Sequence, residues 1–239
     1  MSKPTITSFG THAILLQWSS EINEKIHEEV LRYNRYISNE FSEKIIETVC
    51  AYQSMVVYIK QNTNQKEFIN RLKSVTKLSF NNSKEASTIW QIPVCYAPEY
   101  GVDLYDVAAY NNISENRVIK LHTSTIYRIY FMGFLPGFLY LGGLHKSLNT
   151  PRKEKPSSKV LKGAVGIGGE QTGIYPMECP GGWNIIGRSP ISLFDVNANP
   201  PSLFLEADSI QFYAVSKKQY QEIEQEIINN NYQLKREKL

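Results

Sequence analysis

Twelve of the 14 glycines in this 239-residue chain fall between Gly133 and Gly187, and that crowding constrains the fold more than any other feature. Glycine inside a helix costs about 1 kcal/mol relative to alanine, so this region is not built from long helices. Short apolar runs lie between the glycines, among them "VGI", "WNIIG" and "ISLFD". Short strands punctuated by glycine and proline indicate a β-barrel or sandwich rather than alternating α/β units. The strand-like runs "SLFLEA" and "SIQFYAV" follow, and then a helix from Lys217 to about Asn230.

The N-terminal part has a different pattern. "HAILLQW" has strand length, and Ser20 offers an N-cap to a segment with Ile22, Ile26, Val30, Tyr33 and Ile37 on one helical face. "KIIETVC" and "SMVVYIK" are β-rich runs at hairpin distance, without the glycine that marks the tightest turns. A second amphipathic helix carries Phe68, Ile69, Leu72 and Val75, and "STIWQIPVCY" reads as a further strand. The series βαββαβ is that of a ferredoxin-like domain. The expected architecture is α+β: a ferredoxin-like domain over residues 1–97, with its boundary near Pro93 to Tyr100, then a β-barrel domain over 98–239. Two short helices, Asp103 to Tyr110 and Glu115 to His122, open the second part, joined by "NNIS" with Ser114 as a cap. Helix, turn, helix also describes a DNA reader, but Arg117 and Lys120 alone are too few phosphate contacts.

Several function classes are set aside by what the chain lacks. "FMGFLPGFLYLGGL" (Phe131 to Leu144) is uncharged, yet a membrane-spanning helix needs about 20 apolar residues and seldom holds so many helix breakers. The N-terminus shows no basic patch before an apolar run, so a cytoplasmic protein is expected. Cys50, Cys95 and Cys179 are far apart and form no C-x-x-C pair, which suggests neither disulfides nor zinc. A net charge of +3 spread along the chain argues against nucleic acid, and the terminal "KREKL" reads as a solvated end. "GAVGIGGEQTGIYPMECPGGWNIIGRSP" fails the dinucleotide fingerprint, because Gln171 stands where the third glycine belongs, and no Gly-Lys-Ser/Thr ending makes a P-loop. No G-x-S-x-G elbow occurs, and His12, His27, His122 and His145 lack metal-ligand spacing.

Polar residues set in this apolar frame are the candidates for chemistry: Glu170, Gln171, Thr172, Tyr175, Glu178 and Arg188. Ionisable groups are buried there when they are paired or face a cleft. A structural Arg188–Glu178 pair is the plain alternative.

"FMGFLPGFLYLGGL", "TPR" at Thr150 to Arg152, and "GAVGIGGEQTGIYPMECPGGWNIIGRSPISLFD" closely resemble the KipI / allophanate hydrolase subunit 1 family, mostly understood as the B subunit of bacterial 5-oxoprolinase. "IPVCYAPEYGVDLYDVAAYNNIS" and "VIKLHTSTIYRIYFMGF" extend the resemblance nearly end to end. The departures are Leu139 where a proline is expected, and Ala164 and Cys179 where serines are expected. The resemblance implies a cyclophilin-like barrel at the C-terminal end. It also implies two partners, a second cyclophilin-like subunit (the C subunit) and one of LamB/YcsF type (the A subunit), with which the chain opens 5-oxoproline to L-glutamate using ATP. Biotin is not implied, since no "MKM" stretch occurs, and the older allophanate or urea-degrading label ranks below. A KipI-type inhibitor binding a histidine kinase is the alternative from another class.

On that chemistry Arg188 is expected to hold the substrate carboxylate or a phosphoryl oxygen. The N–H groups of Gly168 and Gly169 would stabilise an oxyanion, and His122 would act as base. Gln171 and Tyr175 would orient the substrate, in a site shared with Glu170, Thr172 and Glu178, while "FMGFLPGFLYLGGL" is expected to form a barrel strand and turn whose Phe134, Phe138 and Tyr140 fill or line the cleft.

Overall fold

Val30, Tyr33 and Ile37 recur at helical spacing and become the buried stripe of α1 (Glu24–Glu40). The computed structural model describes residues 3–19, 23–75 and 87–238, and they separate into two units, Met1–Glu85 and Ala86–Leu239. Ser20, the expected cap of α1, lies outside the described residues; Asn23 caps the helix, its side chain accepting the Ile26 N–H at 2.9 Å. In this first unit the strands are β1 (Thr5–Ser8), β2 (Ala13–Gln17), β3 (Ile45–Cys50) and β4 (Ser54–Ile59). They form one antiparallel sheet in the order β1-β2-β4-β3. The β3–β4 turn closes without glycine, through the Ala51 N–H donating to Ser54 O. Ile14, Leu16, Met55, Val57 and Ile59 meet α1 and the Phe68, Leu72 and Val75 face of α2 (Gln65–Val75) in a single core.

The expected βαββαβ ferredoxin-like order is corrected here. The place beside β2 belongs to β1, a strand the sequence pattern did not reveal, and the sixth element, β5 (Thr88–Cys95), pairs elsewhere. Its partner is β13 (Ser209–Val215), parallel to it from Ser209↔Ile89 to Val215↔Cys95. β5 is apolar on both faces, with Ile89, Trp90, Ile92, Val94 and Cys95 all buried, which marks a central strand. It belongs to the second unit, so the boundary expected at residue 97 falls beyond it.

The second unit is a closed barrel. β6 (Ile126–Met132), β7 (Leu139–Gly142), β9 (Ala164–Gly168), β10 (Gln171–Ile174) and β12 (Asn184–Arg188) join β5 and β13 in the order β12-β9-β10-β7-β6-β13-β5. Pairing of Arg188 with Cys95 closes the ring. Ile92, Tyr127, Ile129, Leu141, Val165, Ile167, Ile174, Ile186 and Phe212 fill it. α3 (Leu104–Tyr110) and α4 (Glu115–Thr123) add Leu104, Val107, Val118 and Leu121 to the same core, with Ser114 capping α4 through the Arg117 N–H. β8 (Ser157–Val160) and β11 (Cys179–Gly181) form a separate small ribbon, and α5 (Lys217–Ile228) follows β13.

Two further expectations change. "SLFLEA" and "ISLFD" form no strand; Ile191, Leu193 and Phe204 are instead buried from irregular backbone. That backbone is tied down by Asp208, whose carboxylate accepts from Thr88 N–H, Trp90 Nε1 and Leu205 N–H. The terminal "KREKL" is not merely a solvated end: β14 (Arg236–Lys238) pairs with Thr88–Trp90 and occupies the part of the β5 edge that β12 leaves open. "FMGFLPGFLYLGGL", expected as a barrel strand and turn, supplies the end of β6, a tight turn and β7; Gly137 sits there at φ +80, and a Cβ on it would lie 2.5 Å from Phe194 Cβ.

Candidate functional site on the outer face of the barrel

Alternation along β9 sends Val165 and Ile167 into the barrel and leaves Gly166 and Gly168 facing out. The Trp183 indole occupies the space a side chain would take. A Cβ on Gly168 would stand 2.5 Å from Trp183 Cδ1, and one on Gly173 would stand 3.1 Å from Trp183 Cζ3. These glycines are therefore the seat of an indole ring. Around it Phe138 meets Trp183 edge-on at 5.6 Å, Tyr175 at 5.6 Å and Tyr140 at 5.0 Å. Tyr140 stacks on Phe131 at 4.2 Å, and Phe134, exposed and at φ +66, touches Phe138 at 5.7 Å. A bulky residue at positive φ is strained, and such strain persists where the surroundings impose it.

The Thr150–Lys153 segment is bound to this face by its backbone. Thr150 and Gly169 exchange N–H···O bonds of 3.3 and 2.7 Å. Asn184 Nδ2 donates to Pro151 O at 2.9 Å, and Lys153 N–H donates to Gly182 O at 2.7 Å. Lys153 Nζ reaches Asp103 at 2.6 Å, and the same carboxylate accepts the Ile185 N–H at 2.6 Å. Between these ties Arg152 projects, its guanidinium 5.9 Å from the Trp183 ring centroid. Burial raises the pKa of the Tyr175 hydroxyl, while the Trp183 backbone N–H and Arg152 act the other way. Cys179 and Tyr140 also act on that hydroxyl.

The structure brings together Phe134, Phe138, Tyr175 and Gly168 from the expected site, with Gln171 paired opposite Gly168 on β10 and Glu170 exposed at the intervening turn, 3.5 Å from Asn149 Nδ2. It separates the others. The Gly169 N–H is committed to Thr150 O, so it is not the expected oxyanion donor, while the outer face of Gly168 seats Trp183. Glu178 pairs with Lys159 at 3.1 Å rather than with Arg188. Arg188 ends β12 with its Nε donating to Lys162 O at 2.8 Å, and among the described contacts it shares none with the ring cluster.

His122 and Thr172 lie inside the barrel, both fully buried. Thr172 Oγ1 donates to Gly166 O at 3.0 Å, so it accepts from His122 Nε2–H at 3.0 Å; His122 Nδ1 then accepts the Tyr96 hydroxyl at 2.7 Å. Stacked 4.5 Å from Phe212 and desolvated, the imidazole has its pKa pushed down to about 3. It is a neutral core group with no path to a ligand, which corrects its assignment as a base.

Sequence reading missed Arg152 and Trp183, whereas Tyr140 joins the ring cluster as expected. The one available signal was "TPR", an arginine fixed behind proline in an otherwise mobile type of segment. Cys179 is the nearest nucleophile, but burial raises its thiol pKa, which keeps it in the unreactive form. Cys179→Ser is accordingly expected to leave turnover of the functional assembly within about twofold of wild type; a loss above about tenfold in steady-state rate would contradict this. Among the described residues no cluster of histidine, cysteine and acidic groups is arranged to hold a metal, and no helix is long and apolar enough to cross a membrane.

Comparison with known proteins adds the following. The family model "Carboxyltransferase domain, subdomain C and D" matches residues 4–204. The chain is similar to the 5-oxoprolinase B subunit of Bacillus subtilis (strain 168), with 34% identity over 232 residues, covering 92% of this chain and 97% of that one. Among solved structures it is similar to TTHA0988, with a TM-score of 0.74 and 29% identity, covering 85% of this chain. The chain spans 40% of that longer protein. The K. lactis urea amidolyase superposes on all of this chain with a TM-score of 0.85, using 16% of its own length; at 20% identity that likeness shows the fold.

Proposed function

The chain belongs to the carboxyltransferase-domain family, subdomains C and D, and from that membership we propose that it is the B subunit of a 5-oxoprolinase. The observation that carries this reading is the near full-length similarity to a relative bearing that name. In the proposed assembly the chain works in the cytoplasm with two partners, a second barrel subunit plus one of LamB/YcsF type, and opens 5-oxoproline to L-glutamate at the expense of ATP. Its own barrel is taken as cyclophilin-like. The relatives' names carry the oxoprolinase reading and give no support to the kinase-inhibitor one.

The chemistry suits a divided enzyme. A lactam carbonyl is a poor electrophile; moving the γ-phosphoryl group of ATP onto the amide oxygen makes a leaving group that water can displace. The step needs an anchored carboxylate and donors aimed at developing charge. This chain contributes the aromatic outer face with Gln171 and Tyr175, and a neutral buried His122 that holds the barrel together.

The test is reconstitution. ATP-dependent glutamate release from 5-oxoproline is measured with this chain alone, with the partner subunits alone, and with all together. Turnover confined to the full set is expected. Folded subunits that assemble yet give no glutamate in any mixture would sink the proposal.

A further inference from the structure

Arg152 stands out as a cation without a carboxylate. No ion pair to it occurs among the described residues, whereas Lys153 beside it is paired with Asp103. An ordinary surface arginine needs no fixed backbone, yet the residues on both sides of Arg152 are tied by hydrogen bonds from Gly169, Asn184 and Gly182. The guanidinium therefore occupies a defined place over the Trp183 ring. The groups that act on the Tyr175 hydroxyl are the Trp183 backbone N–H, Cys179, Arg152 and Tyr140, and none of them is a carboxylate. A planar cation held without a carboxylate partner recruits an anion, and its fork fits a carboxylate. Beside it, Tyr140, Phe131 and the exposed Phe134 offer ring surface for a flat group.

We propose that Arg152, with the hydroxyl of Tyr175, binds the carboxylate of a small planar lactam whose ring rests against the aromatic wall. This rests on the 5-oxoprolinase reading. It moves the anchor role from Arg188, which among the described contacts shares none with the ring cluster, to Arg152 over the Trp183 ring. A phosphate group has related chemistry, so the experiment separates the two anions.

The assembled complex is prepared with wild-type chain, Arg152→Met, Arg152→Lys and Tyr175→Phe. Arg152 is exposed, so the Met variant should fold; a thermal midpoint within about 2 °C of wild type checks this. For Arg152→Met, KM for 5-oxoproline should rise about 10- to 100-fold, the value of a charge-assisted hydrogen bond, with kcat and KM for ATP little changed. Added guanidinium ion should restore part of the loss, and Arg152→Lys should lie between. Unchanged KM for 5-oxoproline overturns the proposal, and so does a rise confined to KM for ATP, which would assign Arg152 to phosphate.

A second readout separates this site from the activity itself. Equilibrium binding to the complex without ATP compares 5-oxoproline with 2-pyrrolidinone, the same ring without the carboxylate. Wild type should prefer 5-oxoproline about tenfold or more, and Arg152→Met should lose that preference. If the wild-type complex opens no 5-oxoproline, the functional reading fails, and the preference still decides the site. An absent preference, or one untouched by Arg152→Met, overturns it.

Discussion

Replacing Asp103 with alanine is expected to lower the stability of the second unit by about 3 kcal/mol, because one carboxylate satisfies two groups that have little else. Its oxygens lie 2.6 Å from Lys153 Nζ and 2.6 Å from the Ile185 N–H, and its side chain is 11% exposed. The Ile185 amide sits in a barrel strand where water cannot replace the lost acceptor, and an unpaired buried N–H alone costs about 1–3 kcal/mol. Lys153, at 24% exposure, recovers part of its solvation, so its share is the smaller one. The loss corresponds to about 10 °C in thermal midpoint for a unit of this size. Asp103→Asn, which keeps an acceptor for Ile185 but no charge for Lys153, should fall between. Circular-dichroism melts of the three proteins measure this, and a drop below about 1 °C for the alanine variant would refute it. A second consequence follows from position: freeing Lys153 loosens the segment that holds Arg152, so selectivity for 5-oxoproline over 2-pyrrolidinone should weaken in the same variant.

The second prediction concerns acid. His122 titrates at about 3 in the folded chain against 6.5 ordinarily, because burial disfavours its charged form. Between those values the unfolded chain binds a proton that the folded chain refuses. Stability is therefore complete above the unfolded value and is lost as pH falls toward 3. Each pH unit is worth about 1.4 kcal/mol, so the descent from pH 6.5 to about pH 5 costs about 2 kcal/mol. Glu206 acts with the opposite sign. Burial pushes its carboxyl from 4.5 up to about 7, so within that window the folded chain holds the extra proton, and stability falls as pH rises through about 7. The two groups oppose each other, and the wild-type profile should be flatter than either alone. In Glu206→Gln the acid loss from His122 should emerge undiluted. In His122→Gln, whose amide can still accept from Tyr96 and donate to Thr172, the protein should gain stability on mild acidification. Urea midpoints for the three proteins at about pH 7.5 and about pH 5 decide the matter. Parallel behaviour of all three would show that neither group is titrating as described.

How far the site could be read from the chain depended on whether neighbours in sequence were neighbours in space. Phe134 and Phe138 were legible because they share one turn with Gly137, and Tyr175 because it follows the glycines at strand spacing. His122 misled because residue type suggests chemistry, but burial and partners decide it. A histidine enclosed between Tyr96, Thr172 and Phe212 is a structural group, and nothing local distinguishes it from a catalytic one. Arg152 was overlooked because its importance comes from Gly169, Gly182 and Asn184, which pin its segment from the other side of a loop.

Elements with local causes were written in the chain. Apolar spacing and capping set α1, α4 and α5, and the crowded glycines set a barrel of short strands, whereas the indole seated on them came only with the structure. Pairings between distant segments were settled only in three dimensions. There β5 went beside β13 rather than into the first sheet, β1 took the edge where a sixth element was expected, and the charged tail became β14. Strand partnership follows from which edge lies open when the cores form, a comparison of whole arrangements that no short stretch of residues records.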